Sequence, residues 1–119
     1  MTGTPSQIEW AQIIRPLVAA EFDRVALALE NAIASQSDPD RQDTRAILAI
    51  LSEIRATVLA RDDAGYYIRD WRELGSQVRR MLAGDPAFQA IQANREARKR
   101  ALQASTGASY DQHPIETHR

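Results

Sequence analysis

Apolar side chains recur at threes and fours along most of the chain, and short polar punctuation divides them into four predicted helical segments. Segment one opens at Ser6, where Ser6-Gln7-Ile8-Glu9 has the form of a capping box. Ala11, Ile14, Val18, Phe22, Val25, Leu29 and Ala32 then form one continuous stripe. Pro16 falls inside this stripe and has no N–H to give the carbonyl of Gln12, so a kink is expected there. Because the stripe keeps phase across Pro16, the helix is expected to bend rather than to divide.

Ser35-Gln36-Ser37 reads as a linker, and Asp38-Pro39 as a restart signal with an acceptor at the cap and proline at the first helical position. Segment two runs to about Arg61, with Ile47, Ile50, Leu51, Ile54 and Val58 on one face. Asp40 and Asp43 sit near its positive end and Arg55 and Arg61 towards its negative end, in agreement with the helix dipole.

After the turn Asp62-Asp63-Ala64-Gly65, segment three carries aromatics and arginines together. On one continuous helix, Tyr67, Trp71, Leu74, Val78, Met81 and Leu82 share an arc of roughly 100°. Arg69, Arg72, Arg79 and Arg80 share another on the opposite side, and Tyr66 falls on the flank beside Asp70 and Glu73. Trp71 is therefore expected to point inward. That separation removes a surface on which bases stack on aromatics between phosphate-binding cations.

Gly84-Asp85-Pro86 repeats the stop and restart device, with glycine suited to a left-handed residue past the helix end. Segment four has two kinds of face. Ala90, Ala93, Ala97, Ala101 and Ala104 share one arc and form a candidate helix-helix contact. Arg95, Arg98, Lys99 and Arg100 form a second basic cluster, with Arg95, Arg98 and Lys99 on the side of Phe88 and Ile91.

The fold expected is all-α: a small bundle of four helical segments with a long first helix kinked at Pro16. Residues 1–5 form an N-terminal arm, 6–105 one helical-bundle domain, and 106–119 a flexible or partner-ordered tail. Segments one and two form a long antiparallel hairpin that outreaches the shorter pair, so part of its stripe is expected to need cover from another copy or another protein.

Composition narrows the chemistry. The chain has 119 residues, 44% of them hydrophobic, enough for one core. With no cysteine there is neither a disulfide nor a thiolate. No signal-like start and no apolar run of membrane-spanning length occur, so the expected location is cytoplasmic, with no membrane partner. Residues 1–63 carry six arginines against ten acids and residues 64–119 nine cations against six, a shift from −4 to +3 that can steer a partner.

Both histidines lie after Gly107, at spacings that match no helical ligand pair, so no metal is expected at His113, Glu116 or His118. The helical body then offers only carboxylates, tyrosines and Lys99 for catalysis, without a phosphate loop or nucleophile elbow, and Glu21, Asp23, Glu30 and Glu53 lack the histidines of a di-iron bundle. No enzyme activity, cofactor or small-molecule ligand is expected.

Two functions lead, ahead of a weaker third, a small-molecule sensor using a cavity between the helices near Trp10 and Trp71, where no convergent polar groups orient a ligand. The first is a non-enzymatic helical subunit that self-associates or binds a protein partner within a larger assembly. The alternative is a nucleic-acid-binding accessory protein, such as a small subunit of a ribonucleoprotein or phage packaging complex, in which Arg69, Arg72, Arg79, Arg80, Arg95, Arg98, Lys99 and Arg100 contact backbone phosphates.

Overall fold

The computed structural model describes residues 1–117, with side chains to Ser105. It holds five α-helices and, among the described residues, no strand: α1 (Pro5–Ile33), α2 (Asp38–Leu59), α3 (Ala64–Asp70), α4 (Leu74–Ala83) and α5 (Pro86–Thr117). The all-α fold is as expected. The tail expected over residues 106–119 lies, in its side chains, outside the described residues.

The first helix starts earlier than Ser6. Thr4 is the N-cap, its hydroxyl accepting from the amide of Gln7 at 3.2 Å while Gln7 Oε1 accepts from the Thr4 amide at 2.9 Å. Pro5 occupies the first helical position, where its fixed φ is already helical and its missing N–H costs nothing. That advantage displaces the box expected at Ser6 and Glu9. Further on, α1 passes through Pro16 without interruption, and the expected kink is not confirmed. Gln12 and Pro16 are both exposed, so water can serve the carbonyl that proline leaves free.

The arm is tied down. Thr2 bridges in parallel to Asp63, its amide donating to the Asp62 carbonyl at 2.6 Å and its carbonyl accepting from Ala64 at 2.8 Å. Gly3 makes this approach possible: its φ is +144, and a Cβ there would stand 3.1 Å from that of Ala64. Gly3→Ala is therefore expected to loosen the N-terminus, read as faster amide exchange at Thr2 and Ala64.

The core lies between α1, α2 and the α3–α4 pair. Ala11, Val18 and Phe22 of α1 meet Leu51 and Val58 of α2 and Tyr66, Tyr67, Trp71 and Val78. The inner stripe of α1 is thus covered along its length by the chain itself: Ile14, Val25 and Leu29 also pack against this cluster. The expectation that part of the hairpin protrudes uncovered is corrected, because α3 and α4 lie end to end along it.

Segment three is two helices rather than one. Trp71 ends α3 at φ −114, ψ 38, and Glu73 precedes α4 at φ −123, ψ 86. The break turns Trp71 onto Phe22, ring centroids 5.6 Å apart, and still lets Val78 and Leu82 of α4 be buried. Packing overrides a propensity that favoured one continuous helix. Tyr66 is buried at 6% exposure, not on the flank, and the Arg61 guanidinium lies 4.0 Å from its ring centre. Gly84 is right-handed, at φ −83, ψ −7, so Asp85 closes the turn directly, accepting from the Phe88 amide at 3.0 Å.

Candidate interaction surface

The described fold buries one side of α1 and leaves another apolar. Trp10, Ile13, Leu17 and Leu27 are each at least half exposed, at 56%, 56%, 50% and 57%. At 100° per residue these positions, with Ala20 and Arg24, fall within an arc of about 100° on the outside of the helix. The spacing Trp10-Ile13-Leu17-Ala20-Arg24-Leu27-Asn31 alternates three and four without a break. That is the a/d pattern of a helix seam.

At the Trp10 end the face opens into a cleft of about 370 Å³ lined by Trp10, Ile14, Leu17, Ile68, Trp71, Arg72 and Leu74. The α3–α4 break forms its far wall. The indole N–H of buried Trp71 finds no acceptor. The sequence reading missed this face because the inner stripe of the same helix dominates the periodicity. Its signal was present as a second phase, one residue out of register at Trp10 and Leu17.

Charges around α1 are mostly settled within the chain. Arg24 forks onto Glu21, Nε to Oε1 at 2.8 Å and Nη2 to Oε2 at 2.6 Å, which with nearby Arg79 holds the Glu21 carboxyl below its usual range. Arg55 pairs with Asp23 across α1 and α2, Nη2 donating to Oδ2 at 3.4 Å and Nε lying 3.1 Å from Oδ1. Glu9 makes no ion pair among the described residues.

The eight cations expected as phosphate contacts do not form one stripe. The helix break places Arg69 on α3, Arg72 in the connector, and Arg79 and Arg80 on α4. Arg69 pairs with Asp70 at 3.0 Å, Arg79 Nε reaches the Gly75 carbonyl at 3.4 Å, and Arg80 bonds Gln77 at 3.0 Å. Arg95 and Arg98 are turned inward to clasp α2. Arg95 donates to the Asp40 carbonyl at 3.1 Å and to Thr44 Oγ1 at 3.0 Å, and lies 3.3 Å from Asp43 Oδ2. Arg98 bridges Asp40 at 3.0 Å and Asp43 at 2.5 Å, and these carboxylates, Asp43 first, hold its guanidinium above the usual range. Buried Thr44 completes the network by donating to Gln36 Oε1 at 2.8 Å.

Lys99 and Arg100 remain exposed. So do Ala90, Ala93, Ala97, Ala101 and Ala104, so no helix among the described residues covers the alanine face. Among the described residues no group of acids or histidines could hold a metal ion, and no helix is long and apolar enough to cross a membrane.

The clasp makes the seating of α5 ionic. Asp43→Ala is expected to speed amide exchange in the first half of α5 while leaving α1 protected, and high salt is expected to shift wild-type exchange in the same direction.

Compared with known proteins, the chain matches no family model, no curated protein and no solved structure.

Proposed function

We propose that this protein is a non-enzymatic helical interaction module whose outer α1 face docks another helix. The observation that carries this reading is the run of four large apolar side chains, Trp10, Ile13, Leu17 and Leu27, half or more exposed on one face at seam spacing. Isolated exposed hydrophobics are ordinary, whereas four on one helix face at seam spacing, three of them clustered at a preformed cleft, fit a docking site. The helix that bears it is held on its other side by the whole core, so it presents the face with little ordering cost.

A photo-activated cross-linker at Leu17, introduced into the protein in its native cells, is expected to give one dominant protein adduct that is lost when Leu27→Asp is added. Only diffuse labelling, or an adduct indifferent to Leu27, would oppose the reading.

The nucleic-acid alternative draws its support from Arg69, Arg72, Arg79, Arg80, Lys99 and Arg100, which the structure leaves exposed. Arg95 and Arg98 are engaged by α2 and Arg69 by Asp70, and the other five are divided between the α3–α4 region, with three, and α5, with two. Fluorescence anisotropy with DNA and RNA at two salt concentrations is therefore expected to show a log-log salt slope below about 3 in magnitude. A slope of about 6 or more would favour the alternative.

A further inference from the structure

We infer that the occupant of the outer α1 face is a second copy of this chain, packed antiparallel so that α1 meets α1 about a two-fold axis between Val18 and Ala19. This deepens the proposed function and rests on it. The seam is self-complementary in one orientation only. An antiparallel pair sets a positions opposite d positions. Trp10 then lies level with the second copy's Leu27, Leu17 with the second copy's Ala20, and Ile13 with the second copy's Arg24. Large faces small at the centre, and Leu27 falls beside the cleft next to Trp10.

Charge points the same way. Arg24 stays forked onto Glu21 of its own chain through Nε and Nη2, and in the second copy its remaining guanidinium N–H groups come about one turn from Glu9, the acid that makes no ion pair among the described residues, twice over by the two-fold. A parallel pair would instead set Arg24 against Arg24, Ala20 against Ala20 and Trp10 against Trp10. It would bring like charges together and leave a gap at the middle of the seam. The contact from Trp10 to Leu27 spans about 25 Å of helix on one face, and association is expected with a Kd on the order of micromolar.

The chain lacks cysteine, so orientation can be read by introducing it. Ser6 and Asn31 are exposed, continue the same seam, and come level with each other across the two-fold. The full chain is expected to sediment towards twice its 13.3 kDa mass as concentration rises, and Leu17→Asp to remain monomeric with unchanged helical circular dichroism. Mixed Ser6→Cys and Asn31→Cys proteins are expected to form mainly the mixed disulfide under mild oxidation.

Homodisulfides from either variant alone would overturn the antiparallel arrangement, and a dimer that survives Leu17→Asp would place the interface elsewhere. A wild-type chain that stays monomeric up to about 1 mM, where binding is worth only ~4 kcal/mol, would overturn the second copy as occupant. The Leu17 cross-linking experiment separates the two claims: a heterologous adduct on a monomeric protein would sink this inference and leave the docking reading standing.

Discussion

Tyr67→Ala is expected to destabilise the protein by about 3–5 kcal/mol, a large part of what a domain this size possesses. Tyr67 is fully buried at the meeting point of α1, α2 and α3, edge-on to Tyr66 at 5.2 Å. Its hydroxyl lies 2.7 Å from the Val58 carbonyl and 3.1 Å from that of Arg61, just past the end of α2. Truncation removes the ring together with the one hydroxyl proton that the two carbonyls share, while the Val58 carbonyl keeps the Arg61 amide at 3.1 Å. Tyr67→Phe keeps the ring, and is expected to cost about 0.5–1.5 kcal/mol for the one hydrogen bond lost.

The same hydroxyl sets an alkaline limit. Burial pushes the Tyr67 hydroxyl above its ordinary value, with nearby Arg15 pulling the other way. A group raised in the folded state contributes stability that is complete below its unfolded value of about 10 and lost as pH rises through the folded one. Urea melts followed by circular dichroism should show the wild type weakening above about pH 10, and Tyr67→Phe weakening less.

Phe22→Ala is the second large effect, again about 3–5 kcal/mol. Phe22 is 1% exposed and tilted 55° against Trp71, and this contact holds the α3–α4 break in place. The loss should be cooperative, with near-ultraviolet dichroism from Trp71 falling together with the far-ultraviolet signal. Trp71→Phe should be far milder, at about 1.5 kcal/mol or less, because the indole N–H it removes has no acceptor and the apolar ring remains.

Much of the architecture was readable from residues. The inner stripe from Ala11 to Leu29, the restart at Asp85-Pro86 and the inward Trp71 follow from periodicity and local chemistry. The break after Trp71 does not, because no glycine or proline marks it. It lets Tyr66, which one continuous helix would leave on the flank, be buried together with Tyr67, Trp71, Val78 and Leu82, a tertiary outcome invisible to a local pattern. Arg95 and Arg98 show the same limit. Their spacing marked a basic face, but only the fold brings Asp40 and Asp43 of α2 against it. The outer seam was legible as a second apolar phase on α1, hidden because one helix carries both.

The most direct measurement uses the two native tryptophans. Trp71 is 3% exposed and Trp10 56%, so acrylamide quenching of the wild-type protein reports almost entirely on Trp10. Quenching is expected to fall and the emission to shift to shorter wavelength as protein concentration rises through the association range, with Leu17→Asp unchanged throughout. Equal quenching of wild type at the lowest and highest concentrations would contradict a second copy covering α1.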